Sequence, residues 1–209
     1  MAWGASRSPR PPRPLSLRID VDPGLPGLEA ELAALHDRLH RPGDRLHGIE
    51  RHDSGQPGLI LRTREADGEY YVYVEDTVCR RLAGYTVFNR LVELDRRADR
   101  CLRAPHSRYA PAYQRRGLAS ALYRQALASG LCLLSGARQS PGAHALWVAL
   151  ARQHECVWVD LRDRRLRLLG AAVPAAVRDD LHTRMLLLGS GWSLPRLAAC
   201  AGLLGVTEG

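Results

Sequence analysis

The stretch from Tyr109 to Leu134 constrains the fold more than any other part of the sequence. Two apolar runs flank a basic turn that contains Gly117. After that glycine, Leu118 and Leu122 begin an apolar stripe at helical spacing. The apolar run that ends the stretch resembles a strand buried on both faces. The pattern therefore predicts strand, loop, helix and strand, which is a parallel crossover within a sheet.

The segments before this stretch predict one helix and several antiparallel strands. Leucines from Leu28 to Leu39 recur at spacings typical of an amphipathic helix. Two β-type runs flank Asp67-Gly68, a dipeptide that favours a hairpin turn. A third and a fourth strand follow, and Pro105 predicts a bulge or bend in the fourth, because proline cannot donate to a sheet ladder.

The segments after the stretch complete the predicted fold. Ser140 and Pro141 are typical of a helix start. A last hairpin follows, and residues 174–188 predict a C-terminal helix. The fold class is therefore α/β, with a mixed central β-sheet and helices on both faces.

Composition divides the chain into three predicted parts. Residues 1–18 are rich in arginine and proline and predict a disordered leader. Residues 19–190 form the predicted domain. Residues 191–209 form an apolar C-terminal extension, which we interpret as a packed helix or a contact surface. No run of about 18 apolar residues occurs, so we expect no membrane span.

The charge and cysteine content limit the partners and the compartment. The net charge is +8, but all 30 basic residues are arginine and they are spread along the chain. A solvated surface explains this better than a nucleic-acid interface. The five cysteines are odd in number and form no CxxC motif, which favours free thiols in a reducing, cytoplasmic setting. The oligomeric state is left open.

The loop itself carries a resemblance to a known family. Gln114, Gly117 and Ala119 follow the pattern [Q/R]-x-x-G-x-[G/A], with Pro111 ahead of it. This is similar to the acyl-CoA loop of the GNAT acetyltransferase superfamily, and the order of elements from about residue 26 to 170 resembles that family too. The resemblance implies a GNAT-like fold and acetyl-CoA as the co-substrate.

The resemblance also implies which residues bind the cofactor. Backbone N–H groups at a helix start can hold the pyrophosphate of CoA. Gly117 lets the backbone approach closely, while Arg115 and Arg116 add positive charge. The expected cofactor-binding residues are Tyr109, Gln114, Arg115, Arg116, Gly117, Leu118, Ala119 and Ser120.

The catalytic residues follow the family pattern less closely. The family often places a carboxylate or a histidine on the strand before the loop as the base, and His106 is the best match here. It often places a tyrosine in the later helix as the acid, but Trp147 occupies that position. His144, one turn earlier, or Tyr109 is then the candidate acid. Weaker alternatives are Glu93, Asp95, Ser140 and Tyr113.

Histidines in the N-terminal region form a further cluster in the sequence. His36 and His40 are four residues apart on the predicted first helix, a geometry that can bind zinc. His47 and His52 follow, but neither a cysteine nor an ordered ligand spacing supports a site. We therefore predict no metal.

The preferred hypothesis is an N-acetyltransferase in which an amine of a protein or small molecule attacks acetyl-CoA directly in a ternary complex. One alternative is a GNAT-like domain that binds acyl-CoA with little turnover and acts through protein contacts. Another is an arginine-rich module that binds nucleic acid.

Overall fold

Within residues 27–205, which the computed structural model describes, nine strands form one mixed sheet and five α-helices pack on it. The predicted leader, residues 1–18, and residues 206–209 lie outside the described part. The strands are β1 (Glu50–Asp53), β2 (Leu59–Ala66), β3 (Glu69–Asp76), β4 (Arg81–Asn89), β5 (Leu102–Tyr109), β6 (Cys132–Leu134), β7 (Cys156–Arg162), β8 (Arg165–Gly170) and β9 (Thr183–Leu187). The helices are α1 (Leu28–His40), α2 (Leu118–Ala128), α3 (Pro141–Ala151), α4 (Ala175–Arg178) and α5 (Leu194–Ala201).

The sheet has the order β1-β2-β3-β4-β5-β6-β9-β7-β8. Its pairs are antiparallel except β5 and β6, which are parallel and joined by α2, as the sequence predicts. In the described chain these two strands pair only at Leu102 with Cys132 and at Arg103 with Leu133. Beyond Arg103, β5 continues beside β4 to Tyr109. Beyond Arg103 the edge of β5 that faces β6 therefore has no ladder partner among the described residues, and we call the space beside this unpaired edge the gap.

Helices cover both faces of the sheet, which confirms the predicted α/β class. Val74 of β3 lies in an apolar cluster with α2 and α3. Its neighbour Tyr73 lies in another cluster with Leu32 and Leu39 of α1. Because successive strand residues point to opposite faces, α1 and α2 lie on opposite sides. A third cluster joins Leu197 of α5 to the sheet. Among the helices of residues 27–205, none has the length and hydropathy of a membrane span.

The predicted C-terminal helix over residues 174–188 is wrong. The segment forms the short helix α4 and then β9, which lies between β6 and β7 in the sheet. Every residue of β9 is buried. A strand buried on both faces shows a continuous apolar run instead of alternation, and such a run cannot be told from a buried helix by its period.

The predicted bulge at Pro105 is also wrong. The pairing of β4 with β5 continues without a register shift past Pro105, which lies opposite Phe88. The Cys101 carbonyl accepts a hydrogen bond from Cys132 N at 2.8 Å on the β6 edge. Every second residue uses the same edge of a strand, so the missing N–H of Pro105 faces the gap. No ladder hydrogen bond is lost there.

Candidate active site

The loop between β5 and α2 turns through two left-handed backbone positions. After a 3₁₀ turn at Pro111–Tyr113, Arg115 has a φ of 58° and Gly117 a φ of 77°. Gly117 caps the start of α2 and Ala121 N donates to its carbonyl oxygen at 2.8 Å. A β-carbon at Gly117 would meet nothing within 4 Å, so this position faces open space. The helix therefore begins at an exposed, tightly turned loop.

Tyr113 anchors the loop to the ends of β3 and β4. Its ring is buried, and its hydroxyl donates to Asp76 Oδ2 at 2.6 Å and accepts from Arg81 Nε at 2.9 Å. The guanidinium groups of Arg81 and Arg116 each lie 5.2 Å from the centre of the Tyr113 ring. Because its hydroxyl already makes these two hydrogen bonds, Tyr113 positions the loop and is poorly placed to act as an acid. The Gln114 side chain donates to the Tyr109 carbonyl oxygen at 3.0 Å.

The start of α2 presents backbone donors to the outside. No residue between 27 and 205 accepts a hydrogen bond from the N–H groups of Gly117–Ser120. Such groups and the partial positive charge of the helix end suit an anion. Arg115 and Arg116 are exposed beside them. These donors lie at the end of β5 where the gap toward β6 is open.

His106 lies on the face of β5 that α1 covers. Its Nδ1 atom is buried and has no hydrogen-bond partner in the described residues. Burial chiefly lowers the pKa of His106, and the positive charge of Arg108 lowers it further, while Glu31 opposes the shift. The imidazole is therefore neutral near pH 7, with a ring nitrogen available to accept a proton.

A carboxylate from α1 reaches the same face. Glu31 forms an ion pair with Arg108 and accepts a hydrogen bond from the Tyr85 hydroxyl at 2.7 Å. Burial, followed by the hydrogen bond to Glu31, raises the pKa of Tyr85 to about 12. Sequence reasoning missed Glu31 because it lies 77 positions before Arg108, and no local pattern signals the contact.

The opposite face of β5 carries a chain of buried hydroxyl groups. Tyr109 OH lies 3.1 Å from Thr86 Oγ1, and that atom lies 2.8 Å from Ser107 Oγ. Ser107 also donates to Tyr123 OH at 3.4 Å. Burial raises the pKa of Tyr109. Since residues alternate along a strand, Tyr109 and His106 point to opposite faces and the structure does not bring them together.

The residues predicted on α3 divide between surface and core. His144 is exposed, and its Nδ1 lies 3.2 Å from Gln139 Oε1. Trp147 is buried, with its ring edge-on to Tyr123 at 6.1 Å between centres. Ser140 caps the helix by accepting a hydrogen bond from Ala143 N, as predicted. Among the described residues, no hydrogen bond joins the side chain of His144 or of Trp147 to His106.

An open cleft of about 430 Å³ lies away from these groups. It is formed between the C-terminal half of α2 and strands β1 to β4, and it contains none of the predicted site residues. Because it has mostly apolar walls and no charged side chain, we give more weight to the loop, where donors and charges converge. Its lining consists of His52, Leu61, Thr63, Tyr70, Val72, Phe88, Leu122, Gln125, Ala126, Ser129 and Leu131.

Comparisons with known proteins give matches at the level of structure. No family model and no curated protein matches the sequence. A ribosomal-protein-S5-alanine acetyltransferase from Vibrio fischeri is similar at 9% identity and a TM-score of 0.37, over 79% of this chain and 91% of that chain. A mutant spermidine N-acetyltransferase from Vibrio cholerae is similar at 16% identity and a TM-score of 0.34, over 81% and 91% of the two chains. At TM-scores this low, we base no functional conclusion on the likeness.

Proposed function

We propose that this chain is a GNAT-type N-acetyltransferase that transfers an acetyl group from acetyl-CoA to an amine. The observation that carries the proposal is the set of N–H groups at Gly117–Ser120, which have no acceptor among the described residues. They lie beside the point where β5 and β6 separate. The N–H groups can bind a diphosphate, and the gap can hold an extended chain attached to that diphosphate.

The diphosphate of CoA binds at the loop in this proposal. The N–H groups of Gly117–Ser120 donate to its oxygens, while Arg115 and Arg116 supply charge from the exposed side. A hydrogen bond to a charged group contributes about 1.5–3 kcal/mol. The pantetheine arm enters the gap and uses the edge of β5 beyond Arg103, in the way that an extended peptide adds to a sheet edge.

The reaction is direct attack of a neutral amine on the thioester carbonyl carbon. A C–N bond forms, a tetrahedral intermediate carries the negative charge on oxygen, and the C–S bond then breaks. His106 Nδ1 accepts the proton that the amine loses, and the departing thiolate takes up a proton from solvent. General base catalysis of this kind contributes about 10²–10⁴-fold to the rate. Positioning of the two reactants supplies much of the rest.

A second candidate function is acyl-CoA binding with little turnover. The observation that favours it is the environment of the α3 residues, where Trp147 is buried against Tyr123 and His144 faces solvent. An indole N–H does not supply a proton near neutral pH. In this candidate the loop holds the cofactor and the surface contacts a protein partner.

One experiment separates the two candidates. The melting temperature is measured with and without acetyl-CoA, and thiol release is then followed with a panel of amines that includes polyamines and peptide N-termini. Stabilisation together with thiol release supports the transferase. Stabilisation without release on any amine supports the binding domain, and no stabilisation contradicts both.

The variant Gly117→Glu tests the loop itself. The added carboxylate occupies the open space in front of the N–H groups and repels the diphosphate, so we expect the acetyl-CoA shift in melting temperature to disappear. Gly43→Glu is the matched control, because Gly43 also has a left-handed φ, of 85°, and faces open space. An unchanged shift in Gly117→Glu would place the cofactor elsewhere.

A further inference from the structure

A cluster of three potential metal ligands lies on the α1 face of the sheet, apart from the loop. His36 and His40 extend from one side of α1, with their ring centres 4.6 Å apart. Glu75 extends toward them from the end of β3. The ligand atoms of the three side chains lie within 4.8 Å of one another.

The core fixes the position of this cluster. Residues four apart on a helix share a face, so both histidines project from α1 toward the sheet. Leu32 and Leu39 hold that helix in place, since both are buried in a cluster with Tyr73 of β3. The histidines therefore meet β3 at a distance that apolar packing sets.

The second oxygen of Glu75 is already held. The buried Arg62 donates from Nε to Glu75 Oε2 at 2.5 Å. Glu75 Oε1 is directed at the histidines, 2.8 Å from His40 Nε2 and 3.7 Å from His36 Nε2. An outer-shell partner that orients a ligating carboxylate is a common feature of metal sites.

His36 Nε2 gives an independent indication of a ligand. This atom is buried and has no hydrogen-bond partner among the described residues. A buried polar atom of this kind normally has a partner. It lies 3.7 Å from Glu75 Oε1 and beside the His40 ring, where a bound cation would satisfy it.

Against the expectation from the sequence, we propose that His36, His40 and Glu75 bind one divalent transition-metal ion of the zinc class, which fastens α1 to β3. Two imidazole nitrogens and one carboxylate oxygen match the ligand types that zinc takes in proteins. The side chain of His40 is 47% exposed, so the ion enters from solvent. Solvent also supplies the remaining ligand.

The observed spacing needs little adjustment. Metal–ligand bonds of about 2.1 Å in a tetrahedral site place neighbouring ligand atoms about 3.4 Å apart. The 3.7 Å between His36 Nε2 and Glu75 Oε1 is close to this value. The contact of His40 with Glu75 lengthens by about half an ångström when the ion replaces the hydrogen bond. The ligand atoms of the two histidines lie within 4.8 Å of each other, and rotation of the half-exposed His40 ring would bring them closer.

The test is a calorimetric titration of tag-free, chelator-treated protein with zinc chloride. We expect one equivalent to bind wild type. His36→Ala and His40→Ala should each weaken binding by more than about 100-fold, because even outer-shell changes cost 10–100-fold. His47→Ala is the matched control, since His47 is exposed in the loop after α1, and it should bind like wild type. Unchanged affinity in His40→Ala, or no saturable binding by wild type, overturns the proposal.

Two further readouts keep the outcome clear. Circular dichroism of each variant in chelator checks that it folds, and His40→Ala removes a side chain that is half-exposed. Cobalt substitution then reports the ligand type. Visible d–d bands without a thiolate charge-transfer band support the histidine–carboxylate site. A thiolate band assigns the ion to cysteine and overturns the proposal.

Discussion

The two faces of β5 carry different chemistry on alternate residues of one strand. On the α1 face, His106 and Arg108 are only partly buried, and a charged partner, Glu31, reaches them from a helix. On the α2 face, Tyr109 is buried and its hydroxyl belongs to a chain of neutral hydrogen bonds that continues through Thr86.

The two faces differ in what they offer to a proton. A proton acceptor needs an atom that is not already hydrogen-bonded, and His106 Nδ1 on the α1 face has no partner among the described residues. The hydroxyl groups of the α2 face are occupied by one another, and burial raises the pKa of Tyr123 to about 12. In the proposed mechanism, proton transfer therefore belongs to the α1 face and support of β5 to the α2 face.

The largest expected effect is on turnover. His106→Ala removes the proposed base, and we expect kcat to fall by about 10²–10⁴-fold. Binding of acetyl-CoA should persist, because the loop donors are untouched. Steady-state kinetics with an active amine, together with the acetyl-CoA shift in melting temperature, check this. His154→Ala is the control, since His154 lies outside the proposed site, and it should keep wild-type turnover. Wild-type turnover in His106→Ala would refute the proposed role of His106 as the base.

The second largest expected effect is on the free energy of unfolding and concerns the α2 face of β5. A β-carbon at Gly84 would lie 2.3 Å from Tyr109 Cδ1 and 2.4 Å from the Arg108 carbonyl oxygen. Because a backbone atom cannot move aside cheaply, Gly84→Ala should lower the free energy of unfolding by about 3 kcal/mol. Urea denaturation measures it. Gly142→Ala is the control, because a β-carbon there meets nothing within 4 Å, and it should not lower the free energy of unfolding. Equal free energies of unfolding for the two variants would contradict the close contact at Gly84.

Several elements of this fold are predictable because local chemistry determines them. The leucine spacing of α1 fixes its buried face, and Leu28 and Leu39 are buried as expected. Asp67 and Gly68 adopt φ values of 55° and 76°, which are the left-handed positions that this dipeptide favours in a hairpin.

Other features are not predictable, because they depend on contacts between distant residues. β1 has four exposed residues and therefore no apolar alternation to find. The contact of Glu31 with Arg108 and that of Glu75 with the histidines join elements far apart in the chain. The packing of α1 on the sheet creates these contacts, so sequence reasoning could name His106, His36 and His40 as candidates but could not place the carboxylates near them.

A smaller effect is expected for the buried hydroxyl of Tyr109. Tyr109→Phe removes its hydrogen bond with Thr86, which still has Ser107 as a partner. We expect a loss of about 1 kcal/mol in the free energy of unfolding with kcat close to wild type. Denaturation and kinetics on the same preparation test both points. A large loss of kcat at unchanged stability would make Tyr109 the acid after all.

The smallest effect concerns the pKa of His106. Glu31 opposes the lowering of that pKa, so Glu31→Gln should lower it further. Titration of the imidazole signals by NMR measures the shift, and the acidic limb of the turnover profile should move to lower pH with it. A rise in the pKa would contradict the proposed arrangement.

The lowered pKa of His106 also makes the stability of the fold depend on pH. Because the folded pKa of His106 lies below its ordinary value of 6.5, its neutral form contributes stability above that pH. The contribution is lost as the pH falls through the folded pKa. His106→Gln should therefore show a weaker loss of stability than wild type on acidification below pH 6.5.

Amide-resolved NMR during titration with acetyl-CoA shows whether the loop holds the diphosphate. We expect the backbone amides of Gly117–Ser120 to shift and their hydrogen exchange to slow, because they donate to the bound diphosphate. If acetyl-CoA binds while these amides keep their shifts and exchange rates, the cofactor docks elsewhere and the assignment of the loop is wrong.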